Sequence, residues 1–273
     1  MRSISAQNDL ELGGRGSILA RQKRDHVRLD RLLHRLGAVP PGRQDAVLLD
    51  IYRLVFPHAF AEEAVLWPAI RRLLPDGRAL TLQVELEHQQ INELVTGLEK
   101  LDPGSPAHER TLRRIVELLR EDVRDEEDSL LPRLQATLSP SQLRLLGASW
   151  KIVRAIAPTR AHPIVSRRPP GNVLSALPLA LLDRARDLVD ARLQHAPGRL
   201  VPALRRLGAA LTRASHAVER LPGMRRGEDP ATRVRRTRGA PWRTAALFAA
   251  GLGSAALLLR SRRRGKLAFD ANR

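Results

Sequence analysis

Proline and glycine cut the first 140 residues into four long pieces. The breaks fall at Gly37 with Pro40-Pro41-Gly42, at Pro75-Asp76-Gly77, at Asp102-Pro103-Gly104 and at Ser139-Pro140. Such clusters stop helices, because proline lacks an amide donor and glycine accepts backbone conformations that close turns. Between them, over roughly 18–36, 44–74, 78–101 and 106–138, apolar residues recur at three- and four-residue spacing, as in Ile115, Leu118, Leu119 and Val123. Each such helix must bury an apolar stripe, and short connections make successive helices antiparallel. The pattern predicts an all-α fold, an antiparallel up-down four-helix bundle, with a further helix over about 141–156 packed outside it.

Composition agrees and narrows the chemistry. Among 273 residues only 3% are aromatic, and the abundance of Leu, Ala and Arg suits helices better than sheets. The absence of cysteine removes disulfides, thiolate metal sites and thiol catalysis. The net charge of +18 is unevenly spread: residues 1–150 sum to −1 and residues 151–273 to +19. The two parts therefore require separate explanations.

The bundle segment contains an internal repeat that falls on residues able to bind metals. His58-x-x-x-Glu62-Glu63-x-x-Leu66-Trp67-Pro68 is matched 64 residues later by Asp122-x-x-x-Glu126-Glu127-x-x-Leu130-Leu131-Pro132. Asp25-His26 is matched 62 residues later by Glu87-His88, each followed by the same apolar spacing. Side chains four apart share a helix face, so His58 with Glu62 and Asp122 with Glu126 are each paired. Imidazole and carboxylate together suit iron, manganese or zinc, and helical bundles build two-metal sites from inward-facing ligands of this kind. Six candidate ligands, His26, His58, Glu62, His88, Asp122 and Glu126, exceed the four that a structural zinc takes. They match two iron or manganese ions bridged by Glu62 and Glu126.

On these motifs, residues 18–140 resemble the hemerythrin-like (HHE) cation-binding domain. The resemblance implies a bundle holding a non-haem di-iron centre, with roles in oxygen, peroxide or nitric oxide sensing or chemistry, or in iron handling. The family pattern carries His at the position of Asp122, so this chain departs from it there. The departure lowers the expectation of reversible oxygen binding, which relies on a His-rich site. No substrate pocket is identifiable, and enzymatic turnover is left open. A non-catalytic helical protein that binds a membrane or partner, with a degenerate metal site, is the alternative.

Glu63 and Glu127 follow the proposed bridges and point about 100° away, which makes them supporting or surface groups. His34, His108, His162, His195 and His216 lie outside the motifs and are expected to face solvent. Pro57 precedes His58 as either a kink or the restart of a helix, and Trp67 is expected in the core.

The flanks complete the expected organisation. Residues 1–17 are polar and Gly-rich, without the apolar run of a secretory signal, and are expected to be disordered. The bundle and its packing helix occupy 18–157, a Pro-rich linker 158–172, and basic amphipathic helices 173–240. The uncharged run 244–259, inside a candidate transmembrane anchor at 241–260, would span roughly 24 Å as a helix, short of the ~30 Å hydrocarbon core. Trp242 and the arginines around it could extend its reach, and a basic tail follows at 261–273. This predicts a cytoplasmic bundle anchored through its C-terminal segment, with an anionic membrane surface as partner. The lack of any recognisable module and of stacking aromatics argues against nucleic acid.

Overall fold

The computed structural model describes residues 1–234, and helices dominate those residues. Helix α1 spans Ile18–Ala38 and α2 Gln44–Ala61. A π-helical turn, Glu62–Leu66, carries α2 into α3, Trp67–Leu73. Helix α4 (Gly77–Leu98) precedes α5 (Pro106–Asp125), which continues through a second π-helical turn, Glu126–Leu130, into α6, Leu131–Thr137. Helix α7 (Pro140–Ala155) packs on α1 and α2, and the hairpin of α8 (Gly171–Leu193) and α9 (Val201–Glu219) follows.

The helix starts are local chemistry. Ser17, Ser105 and Ser139 each accept a hydrogen bond from a backbone amide in the first turn, and Ser139 with Gln142 completes a capping box. Pro106 and Pro140 open their helices where no intrahelical donor is needed. Pro57 lies inside α2, which runs on without a restart.

Two hydrophobic clusters are strung along the same rods. One gathers Ile18, Leu19, Leu66, Trp67, Ile70, Val84, Leu131 and Leu134, with Leu143 and Trp150 of α7. The other gathers Leu29, Leu33, Ile51, Leu54, Phe56, Ile91, Val95, Ile115 and Leu119. Along α1 the residues between the clusters are Gln22, Asp25 and His26; along α2 and the π-helical turn after it, His58 and Glu62; along α4, His88; along α5 and the π-helical turn after it, Asp122 and Glu126. Each long rod thus reads apolar, polar, apolar, and packing brings the polar stretches to one level.

Two expectations are corrected. Residues 1–17 are packed rather than disordered: Ile4 and Leu12 are fully buried, Gln7 and Gln135 exchange hydrogen bonds of 3.0 and 2.7 Å, and Lys23 holds the Ser5 carbonyl at 2.7 Å. Two apolar side chains suffice to seal the end of the first cluster. The Pro-rich segment 158–172 is likewise no free linker, since its own Thr159, Arg160, His162, Val165 and Arg167 are buried. No helix among the described residues is long and apolar enough to cross a membrane, and the run 244–259 lies outside them.

Candidate metal centre

All six residues singled out by the repeat converge on the polar level. One group of donor atoms comes from His26, His58, Glu62 and Glu126, and a second from His88, Asp122 and Glu126, so Glu126 belongs to both. His58 Nε2 lies 3.0 Å from Glu62 Oε1 and His26 Nε2 lies 3.3 Å from Glu126 Oε2. His88 Nε2 stands 3.6 Å from Asp122 Oδ1 and 3.8 Å from Glu62 Oε2. Glu62 therefore reaches towards His58 with one oxygen and His88 with the other.

The opposite ring nitrogens are held by a second set of carboxylates. Nδ1–H of His58 donates to Asp25 at 3.1 Å, that of His88 to Glu63 at 3.0 Å, and that of His26 to Glu127 at 2.9 Å. Such a bond fixes both tautomer and ring plane and strengthens the free nitrogen as a donor. Gln22, which no motif had marked, donates to Glu62 Oε1 at 2.7 Å.

The π-helical turns explain how neighbouring glutamates serve two levels. Trp67 N–H bonds to the Glu62 carbonyl and Leu131 N–H to that of Glu126, one residue wider than an α-turn. Pro68 and Pro132 lack the next amide donor, and their rings collide with the carbonyl four residues back, so the widened turn relieves a clash. Both Glu62 and Glu63 are consequently buried, one facing the cluster and one behind His88. Adjacency in sequence had suggested a surface or supporting place for Glu63 and Glu127; the supporting one is what the fold provides.

Electrostatics at this level are unbalanced without a cation. Burial opposes charge on His26, His58 and His88, but the surrounding carboxylates outweigh it and push them up to about 10, 9 and 10. Burial, reinforced by Glu126 and Glu62, pushes the Asp122 carboxyl well above its usual range despite His88. Burial also acts on Glu62, where His58 and His88 overcome it and hold the carboxyl low. Glu62 Oε2, Asp122 Oδ1, Glu126 Oε1 and Gln22 Oε1 are buried with no hydrogen-bond partner. Carboxylate oxygens left this way cost several kcal/mol each, roughly, and a metal ion is their natural partner. The donor set therefore fits cations.

A cavity of about 20 Å³ opens beside the cluster, walled by Leu29, Leu54, Phe56, Ile91 and Leu119 and reaching His26, His58, His88 and Asp122. That is room for roughly one water-sized molecule.

The remaining histidines divide. His34 is exposed as expected, whereas His108 and His162 are buried. His162 donates from Nδ1 to Glu219 at 2.8 Å and from Nε2 to Asp183 at 3.0 Å, partners too distant in sequence for any local pattern to indicate.

Comparison with known proteins points the same way. Residues 17–134 match the family described as the hemerythrin HHE cation binding domain. An uncharacterized hemerythrin-like protein of Schizosaccharomyces pombe is 24% identical over 134 residues, 49% of this chain and 66% of that protein. A DNA nickase of Nostoc sp. is 26% identical over 105 residues, 38% of this chain and 29% of its own length. The chain thus spans less than two thirds of either relative. No solved structure matches it. An all-helical bundle and a buried His and carboxylate cluster thus coincide with the segment, residues 17–134, that is similar to the hemerythrin HHE cation binding domain.

Proposed function

We propose that the bundle holds a pair of iron ions and acts on, or senses, a small molecule such as dioxygen, peroxide or nitric oxide. Manganese fits the same donors. His26 and His58 would serve one ion and His88 and Asp122 the other, with Glu62 and Glu126 shared between them. The observation that carries this reading is the orientation of the three imidazoles. Each turns Nε2 toward the shared carboxylates and fixes Nδ1 on a separate one. Iron bound there would supply a redox-active Lewis acid for the small molecule.

The chain's own residues account for the rest. Asp25, Glu63 and Glu127 orient the rings. The apolar wall of Leu29, Leu54, Phe56, Ile91 and Leu119 keeps bulk water out while leaving space for about one water-sized molecule. Asp122 adds negative charge where an imidazole would add none, which favours the more oxidised ion and weighs against reversible oxygen carriage.

Iron-loaded protein should contain two ions per chain and show charge-transfer absorption. A His58→Ala/Glu126→Ala double variant should lose both, and a variant that keeps both ions would overturn the assignment. Asp122 also motivates a competing reading, a metal-free scaffold that binds a partner or membrane. Its signature is a melting temperature unmoved by Fe(II) or Mn(II), because an ion bound only by the folded state must raise it.

A further inference from the structure

The family match ends at residue 134, yet positive charge reaches the cluster from beyond it. Asp25 Oδ2, the oxygen that accepts from His58, lies 2.9 Å from the Arg154 guanidinium on α7. Glu63 Oε1, the oxygen that accepts from His88, lies 3.7 Å from Arg167 in the segment between α7 and α8. Glu127, which holds His26, has no guanidinium in ion-pair range among the described residues.

Both arginines are anchored for this approach. Arg154 sits 5.1 Å over the Trp150 ring, and Trp150 meets His58 edge-on at 5.5 Å. Helix α7 comes this close because Gly147 crosses the start of α1, where a Cβ would fall 2.3 Å from the Gly16 carbonyl. Arg167 is buried and donates to the carbonyls of His162 at 2.7 Å and Val165 at 3.0 Å. Its fork is held by backbone while one nitrogen remains turned to Glu63.

We propose that Arg154 and Arg167 are positioning residues for the metal centre, setting the donor strength of His58 and His88 through Asp25 and Glu63. A carboxylate oxygen shared with a guanidinium pulls less on the Nδ1 proton, so the imidazole behind it donates less charge through Nε2. The added positive charge acts in the same direction. Two of the three imidazoles are damped in this way and His26 is not. The inference rests on the iron-pair reading above and extends it: the potential of the centre is set partly by the chain outside the matched domain.

The test is the midpoint potential of full-length iron-loaded protein, read spectroscopically alongside iron content. Arg154→Gln and Arg167→Gln should each keep the wild-type iron content and shift the preference for ferric over ferrous ion by about tenfold, roughly 59 mV for a one-electron couple. Arg154→Lys and Arg167→Lys, which keep the charge, should remain near the wild-type potential. Arg186→Gln, which removes an ion pair with Glu99 away from the cluster, should not move it. Iron-loaded Gln variants with an unchanged midpoint would overturn the proposal, as would Lys variants shifted as far as the Gln ones. Should Arg167→Gln fail to fold, the Arg154 pair of variants decides. Wild-type protein that takes up no iron defeats the underlying reading first, and shows this before any variant is made.

Discussion

At the scale of single residues, the site holds protons where it lacks metal. His26, His58 and His88 are pushed up to about 10, 9 and 10, so near neutrality they stand as imidazolium ions among the carboxylates. Metal must displace these protons. Uptake of Fe(II) or Mn(II) at pH 7 should acidify a weakly buffered solution, and affinity should weaken steadily as pH falls below about 9. Metal-free stability follows the opposite sign. A histidine raised above its unfolded value stabilises fully below about 6.5, and that contribution fades as pH rises through the folded value. Metal-free protein should therefore lose melting temperature between pH 7 and 10 while metal-loaded protein holds it; parallel curves would show that the imidazoles carry no such protons. Asp122, whose carboxyl burial pushes well above its usual range in the metal-free state, gives a companion test. Asp122→Asn should leave metal-free stability within about 1 kcal/mol but lower metal affinity about 10- to 100-fold, measured by titration.

At the scale of elements, the two widened turns decide where the candidate ligands point. The repeat was legible in the sequence, and so were the helix breaks and serine caps, because each is a local pattern of a few residues. The π-register was not, since one extra residue per turn leaves the apolar periodicity almost unchanged. Pro68 and Pro132 are the available signal, but a proline in a helical segment marks a kink or an end without specifying a widened turn. Pro68→Ala should let the turn relax toward α-geometry and carry Glu62 and Glu63 out of register with His58 and His88. Helix content by circular dichroism should be preserved while metal affinity drops about 10- to 100-fold. Unchanged affinity would mean that the widened turn is not needed to aim the pair.

At the scale of the whole molecule, the strap between α7 and α8 fastens the last two helices to the bundle. Arg160 bonds Asp187 and Asp190 of α8, Asp187 also accepts from Arg53 of α2, and His162 ties Asp183 of α8 to Glu219 of α9. His162 backbone N–H in turn donates to Asn92 of α4 at 2.9 Å. Burial opposes charge on His162, but Asp183 and Glu219 outweigh it and push it up to about 9. Its imidazolium stabilises on the order of 3 kcal/mol below about pH 6.5, and the contribution disappears as pH rises through 9. Backbone amides of α9 should therefore exchange faster above pH 9 in wild-type protein, and His162→Gln should exchange fast throughout with little further change. Equal protection on both sides of pH 9 would remove His162 from this role.

Local pattern in the sequence determined the rods, the breaks between them and the six inward-facing residues, because helical periodicity and four-residue pairing are properties of neighbours in the chain. It also marked Asp25, Glu63 and Glu127 as companions of the motif without assigning them partners. What only the tertiary structure decided is everything that depends on distant segments meeting. Asp25 supports His58 rather than its neighbour His26, Glu63 supports His88, residues 1–17 seal a core, and two arginines from beyond residue 134 lean on the site. Those pairings arise from the crossing of whole helices, where burial makes an unpartnered charge costly.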